Sequence, residues 1–202
     1  KVLLEIPTQR EQCCHTAGSI AWDKDGNLFL STGDNTNPHG SNGYSPSDER
    51  PDRSAWDAQK SSSNTNDLRG KIIRIKPLPN GTYTIPDGNL FAKGTPLAKP
   101  EIYTMGHRNP FRISVDKKTG YVYWGEVGPD ANAPDSLRGP AGHDEVGQAK
   151  QAGNYGWPHF VGDNKAYTRF DFLQNKSLEK WSAEKPINTS PNNTGLQELP
   201  PA

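Results

Sequence analysis

The chain has 202 residues, enough for one large domain or for part of a larger one. Its 23 basic and 23 acidic residues cancel, so nothing in its charge indicates a nucleic-acid or membrane-surface partner. No apolar run is long enough to span a membrane. A hydrophobic content of 31%, with 20 glycines and 18 prolines, favours a loop-rich β protein over a bundle of helices.

A β-hairpin is predicted between His15 and Asp34, in the stretch HTAGSIAWDKDGNLFLSTGD. Two apolar runs, 19–22 and 28–31, flank the turn DKDGN, which carries an Asp-Gly pair. The turn also resembles the start of a calcium loop, but the glutamate that such a loop needs is missing. Because the second strand returns alongside the first, we expect His15 and Asp34 at the same end, where a base and its orienting carboxylate could meet.

Short strands separated by turns are predicted for much of the remaining chain. Residues 2–6, 71–76, 101–105, 111–115 and 121–126 have strand-like patterns. Residues 35–67 form a polar stretch, typical of a functional lid, a binding loop or a disordered segment. These features predict an all-β fold, either a sandwich, a barrel or the blades of a propeller.

The end of the chain has weaker signals. Residues 171–183 predict a short amphipathic helix, and the tail after them is typical of a linker or an irregular loop. We therefore predict one domain over residues 1–170, and a second region over 171–202 that is a short helix or irregular segment with a linker-like tail.

The two cysteines are adjacent, Cys13 and Cys14. A framework of several disulfides is excluded, whereas a disulfide between neighbours and two free thiols both remain open. Metal ligation is the weaker interpretation, because zinc sites usually separate their cysteines by two to four residues.

Four blocks of sequence resemble the soluble PQQ-dependent sugar dehydrogenases of the glucose/sorbosone dehydrogenase family. The blocks are HTAGSIAWDKDGNLFLSTGD at 15–34, LRGKIIRI at 68–75, the stretch from IYTMGHRNP to WGEVGPD at 102–130, and GHDEVGQAKQAGNYGWP at 142–158. The resemblance implies a six-bladed β-propeller. A propeller of that size needs more than 202 residues, so we expect about three to four blades here.

The resemblance also implies roles for particular residues. His15 corresponds to the general base that takes the proton of the sugar's anomeric hydroxyl, and Asp34 to the carboxylate that orients it. Arg108 and Asn109 correspond to contacts with the cofactor PQQ. A histidine has a pKa suited to this proton transfer, while the quinone accepts the hydride.

The metal is implied to be Ca²⁺, held by the backbone carbonyls of Gly128 and Pro129, because this ion prefers hard oxygen ligands. The preceding residue, Val127, replaces a polar residue of close family members. The roles of Asp144 and Glu145 remain open. They are either metal-binding or structural groups, or charged residues at the edge of a strand.

For a further histidine and two tryptophans in these blocks we predict structural roles. His107 is predicted to be a structural hydrogen bonder. Trp124 and Trp157 are predicted to pack in the core.

The function that the resemblance implies is oxidation of an aldose or related sugar, in carbohydrate metabolism, by a periplasmic or secreted protein. We expect a sugar substrate, an external electron acceptor, and either further blades or a partner chain, without which these 202 residues would be inactive. The N-terminal apolar stretch is too short for a signal peptide, so a signal has been removed or the chain starts inside a longer protein. The alternative is a non-catalytic propeller that binds carbohydrate or protein.

Overall fold

Strands provide almost all the regular structure in the computed structural model, which describes residues 1–202. The only helical elements are two short 3₁₀ turns, Ser54–Trp56 and Ala58–Lys60. The thirteen strands are β1 Ile20–Trp22, β2 Leu28–Thr32, β3 Lys71–Pro77, β4 Tyr83–Thr84, β5 Ile102–Met105, β6 Pro110–Val115, β7 Val122–Glu126, β8 Glu145–Ala149, β9 Gly153–Asn154, β10 Phe160–Val161, β11 Lys165–Ala166, β12 Thr168–Asp171 and β13 Lys176–Lys180. The all-β prediction is confirmed. No sheet closes on itself, so the propeller and its number of blades stay predictions. No helix is long and apolar enough to cross a membrane.

The largest sheet is built around β3. Its strand order is β1-β2-β3-β5-β9, with β4 also paired to β3. Strand β3 is apolar on both faces, because Ile72 and Ile73 are both completely buried. Ile73 belongs to one core cluster with Ile102 and Met105, whereas Ile72 belongs to another with Val122 of the β6-β7-β8 sheet. The central strand therefore lies between two hydrophobic cores.

The predicted hairpin is confirmed as β1 and β2, which pair from Ile20 opposite Leu30 to Trp22 opposite Leu28. In the turn between them, the Asp23 carboxylate accepts two backbone N–H groups, so the turn satisfies its own donors. The strands predicted at 71–76, 101–105, 111–115 and 121–126 are confirmed to within a residue.

Residues 2–6 form no strand. Leu4 and Ile6 instead pack against the Ile73 cluster, so burial alone explains their alternating pattern.

Residues 171–183 contain no helix, so the helix prediction is wrong. Strands β12 and β13 form an antiparallel hairpin there. The Asp171 carboxylate accepts the N–H groups of Leu173 and Gln174, and Asn175 has a left-handed φ of 52°, so turn chemistry overrides the amphipathic pattern. The tail after this hairpin packs on the rest of the chain, since the buried Asn188 amide donates to the carbonyls of residues 59 and 63. The division into two regions stays a prediction.

The long segment 35–67 is irregular but largely buried. A lysine outside the segment donates hydrogen bonds to part of its backbone. Lys71 is completely buried, and its ammonium donates to the carbonyls of Ser61, Ser62 and Arg69 at 2.7–3.0 Å. Burial lowers the pKa of Lys71 to about 7. The Ser61 and Ser62 carbonyls also accept the backbone N–H groups of Asn64 and Gly106, so the Arg69 carbonyl is the one that depends on Lys71 alone.

Replacing Lys71 by methionine tests this dependence. Lys71→Met removes three hydrogen bonds and leaves the Arg69 carbonyl buried without a partner, so we expect the free energy of unfolding to fall by about 2–3 kcal/mol. Urea denaturation measures the change. The control is Lys76→Met on the exposed side of the same strand, where we expect a change within about 0.5 kcal/mol. Equal effects of the two substitutions would contradict the assignment.

A second buried ionisable group, Asp57, lies between the 3₁₀ turns. One carboxyl oxygen accepts the Gln59 N–H at 3.0 Å, and the other has no partner. Desolvation raises the pKa of Asp57 to about 7, although the neighbouring polar groups of Ser190 and Gln59 oppose the rise. The folded protein therefore keeps a proton on Asp57 at pH values where the unfolded chain has released it.

The pH dependence of stability follows from this shift. Between the unfolded pKa of 3.8 and the folded pKa of about 7, the folded state binds more protons, so stability falls as the pH rises. From about pH 4 to about pH 8 we expect the wild type to lose on the order of 3 kcal/mol relative to Asp57→Asn in urea unfolding. The exposed Asp52→Asn is the control. Parallel pH profiles for Asp57→Asn and the wild type would refute the prediction.

Candidate functional site

His15 and Asp34 lie at one end of the β1-β2 hairpin and contact each other. His15 Nδ1 is 2.8 Å from Asp34 Oδ1, and Asp34 is completely buried. The Thr36 N–H donates to the same oxygen at 2.9 Å. Because a carboxylate only accepts hydrogen bonds, the imidazole proton lies on Nδ1 and the lone pair on Nε2. The pair can therefore accept a proton at Nε2.

Backbone contacts hold His15 in place. The Asn35 N–H donates to the His15 carbonyl at 3.0 Å. Gly33 must lack a side chain, because a Cβ there would overlap that carbonyl. Directly before the histidine, Cys13 and Cys14 form a disulfide, the first of the two alternatives that the sequence leaves open.

The Arg108-Asn109 turn is held by a residue that the sequence analysis missed, Glu126. Its Oε1 accepts the N–H groups of Arg108 and Asn109 at 2.8 and 2.6 Å. Its Oε2 accepts from His107 Nδ1 and Trp124 Nε1, each at 3.0 Å. His107 is thus a structural hydrogen bonder, as predicted. The only sequence signal for Glu126 is an acidic residue at the end of a strand, which does not reveal its partners.

The side chains of Arg108 and Asn109 differ in the polar contacts that they make within the protein. The buried Arg108 guanidinium donates to the Val127 carbonyl at 3.0 Å and lies 3.5 Å from the exposed Asp130 carboxylate. The Asn109 Oδ1 atom is buried beside Gly33 and accepts no hydrogen bond. An unsatisfied buried oxygen of this kind requires a donor.

A cavity of about 250 Å³ lies beside Arg108, just below the usual range of roughly 300–1,000 Å³ for small-molecule sites. Gly128 and Pro129 line it. Neither of their carbonyls accepts a backbone hydrogen bond. Because Gly142 lies against the Pro129 carbonyl, any side chain at position 142 would overlap that oxygen.

Five of the six predicted site residues form two groups that share Arg108, whereas Asn109 lies against Gly33 and does not line the cavity. The Asp34 N–H donates to the Arg108 carbonyl at 2.7 Å, which joins the arginine to the histidine pair. The Arg108 side chain lines the cavity with Gly128 and Pro129. The structure does not bring those two residues against His15, which lies outside the cavity lining.

Backbone oxygens are the candidate metal ligands in this region. No group of three or more His, Cys, Asp or Glu side chains is placed to hold a metal ion. Asp144 accepts the Gly128 N–H at 2.8 Å, and Glu145 accepts the Gly162 N–H at 2.7 Å, so both carboxylates hold loops in place. The free carbonyls of Gly128 and Pro129 are hard oxygen donors of the type that Ca²⁺ prefers.

Trp157 packs in the core, as predicted for it, and also makes a contact that was not predicted. Its indole N–H donates to Asp34 Oδ2 at 2.8 Å, across 123 positions of sequence. The side chain belongs to the predicted family block at 142–158, but nothing in the sequence pairs it with Asp34.

Comparison with known proteins finds similarity to one family of dehydrogenases and to several relatives. The sequence model of the glucose/sorbosone dehydrogenases matches residues 1–191. An uncharacterized protein of Synechocystis sp. is 30% identical over 168 residues, which cover 83% of this chain and 34% of that protein. Aldose sugar dehydrogenase YliI of Escherichia coli K12 is 28% identical over 144 residues, which cover 71% of this chain and 29% of YliI.

A solved structure from Thermus thermophilus, described as a putative oxidoreductase (glucose dehydrogenase), has 30% identity and a TM-score of 0.52. The match covers 90% of this chain and 42% of that one. The chain thus spans about a third, or less, of the length of the curated relatives it matches.

The contacts of Glu126 give a testable prediction. In Glu126→Gln the amide nitrogen faces buried N–H donors instead of accepting from them, so we expect the free energy of unfolding to fall by about 2–4 kcal/mol in urea denaturation. The control is Glu179→Gln, whose carboxylate is 58% exposed, and it should change stability by less than about 0.5 kcal/mol. A Glu126→Gln protein as stable as this control would rule out the assigned role.

Proposed function

The chain belongs to the glucose/sorbosone dehydrogenase family, and on that premise we propose that the whole protein oxidises an aldose or related sugar to its lactone, with PQQ as cofactor and Ca²⁺ beside it. The observation that carries the proposal is the 2.8 Å contact between His15 and the completely buried Asp34. The similarity to aldose sugar dehydrogenase YliI supports a sugar as the substrate class.

The chemistry of two residues suits PQQ, a flat and polyanionic quinone. The Arg108 guanidinium is planar and permanently charged, which favours contact with carboxylates and ring faces. The side-chain amide nitrogen of Asn109 can donate to a ligand oxygen. When bound, PQQ supplies the carbonyl that accepts a hydride from the sugar.

The carbonyls of Gly128 and Pro129 would hold Ca²⁺. They line the cavity and have no backbone donors. Val127, which replaces a polar residue of close family members, contributes its backbone carbonyl to the Arg108 guanidinium. Since that contact does not depend on the side chain at position 127, the replacement leaves the position of Arg108 intact.

The protein's own part in the reaction is proton removal. His15 Nε2 takes the proton of the anomeric hydroxyl as the carbon gives up its hydride. Asp34 keeps the ring in the tautomer that leaves Nε2 free, and its charge stabilises the imidazolium that forms. Base catalysis of this kind contributes on the order of 10²–10⁴ in rate.

The proposal extends to the setting of the protein. An external electron acceptor reoxidises the cofactor, and further blades or a partner chain complete the propeller around the site. A periplasmic or secreted location is supported by the disulfide between Cys13 and Cys14, because such bonds persist in oxidising compartments.

The function is tested on the full-length protein reconstituted with PQQ and Ca²⁺, with dye reduction measured on a panel of aldoses. We expect activity with at least one sugar, and His15→Gln to lower kcat by about 10²–10⁴ because it removes the base. The control, His39→Gln, changes an exposed histidine and should retain wild-type kcat.

Two results would count against the proposal in different ways. Absence of both dye reduction and a quinone absorbance change would favour the non-catalytic binding propeller. Full activity in His15→Gln would remove the base assignment and leave the dehydrogenase in place.

A further inference from the structure

One carboxylate oxygen at the site depends on a single donor. Asp34 Oδ1 accepts from both His15 Nδ1 and the Thr36 N–H. Asp34 Oδ2 accepts from Trp157 Nε1 at 2.8 Å, and no other donor reaches it. Because Asp34 is completely buried, water cannot replace a lost partner.

Trp157 is itself held firmly. Its backbone N–H donates to the Gly106 carbonyl at 3.0 Å, and only 4% of its surface is exposed. Its ring packs edge-on against Tyr167, with 6.2 Å between the ring centroids. The indole N–H is therefore presented to Asp34 by a side chain with little freedom to turn away.

The same indole also lies beside the proposed cofactor residue. The Arg108 guanidinium carbon is 5.9 Å from the Trp157 ring centroid, within reach of a cation–π interaction. Trp157 also lines the cavity with Arg108. One side chain thus contacts the carboxylate of the histidine pair and the arginine of the cavity.

We infer that Trp157 is a positioning residue for the base, an inference that rests on the proposed dehydrogenase function. A carboxylate bound through only one oxygen can rotate about its bond to Cβ, and the imidazole that it holds moves with it. Donors on both oxygens fix the plane of the Asp34 carboxylate and thereby the direction in which His15 Nε2 points. The indole N–H also takes part of the charge of this buried carboxylate.

The chain offers a matched pair of substitutions to test this role. Trp157→Phe keeps an aromatic ring and removes the N–H. Trp181→Phe makes the same change in the same hydrophobic cluster, at a buried tryptophan whose Nε1 has no hydrogen-bond partner. Any effect of packing alone appears in both variants, whereas loss of the Asp34 contact appears only in Trp157→Phe.

The first readout does not require the cofactor. In full-length protein with ¹⁵N-labelled histidine, the Nδ1–H signal of His15 is assigned by its loss in His15→Gln, and its exchange with water is measured. We expect exchange about tenfold faster in Trp157→Phe, because the carboxylate that holds this proton is freed to rotate. Trp181→Phe should remain within about twofold of the wild type.

The second readout uses the reconstituted enzyme. We expect Trp157→Phe to lower kcat about tenfold with the KM for sugar within about twofold, since the base is misdirected and the sugar contacts are unchanged. Wild-type exchange in Trp157→Phe, or equal acceleration in both variants, would overturn the inference. A wild-type protein without dehydrogenase activity would remove the proposed function, while the exchange measurement would still decide the role of Trp157.

Discussion

The corner formed by Gly33 and Asp34 is the point at which the four sequence blocks meet. The Gly33 carbonyl accepts the N–H of Gly70 at 2.8 Å, which brings in the second block. The Asp34 N–H donates to the Arg108 carbonyl of the third block, and its carboxylate accepts the indole of Trp157 in the fourth. His15 of the first block completes the set. The site depends on Gly33, which leaves room for the His15 carbonyl, and on the buried carboxylate of Asp34.

Buried polar groups explain how a chain with 31% hydrophobic residues holds long irregular segments in place. Lys71 donates to the carbonyls of Ser61, Ser62 and Arg69, and Glu126 accepts from four donors around the Arg108 turn. Each group is costly to bury alone and becomes favourable only when all its partners are present. The loops that carry the site are thus positioned by polar side chains as well as by the two cores on either side of β3.

The parts of the fold that could be predicted from sequence are those set by local chemistry. The Asp-Gly turn fixes the β1-β2 hairpin, and the hairpin brings His15 to Asp34. The contacts of Glu126 and Trp157 could not be predicted, because their partners lie in segments joined only by tertiary packing. The helix predicted at 171–183 failed since Asn175 takes a left-handed φ of 52°, which ends a helical path, and the chain returns as an antiparallel hairpin.

We propose that the Gly33–Asp34 corner presents a histidine base to a cofactor held at Arg108 and Asn109. The most direct test is a crystal structure of the full-length protein with PQQ and Ca²⁺. We expect the side chains of Arg108 and Asn109 to lie within hydrogen-bond distance of the quinone cofactor, roughly 3 Å, with the His15 imidazole facing it and still bonded to Asp34. A cofactor bound away from Arg108, or a His15 ring turned away from the cofactor, would contradict this proposal.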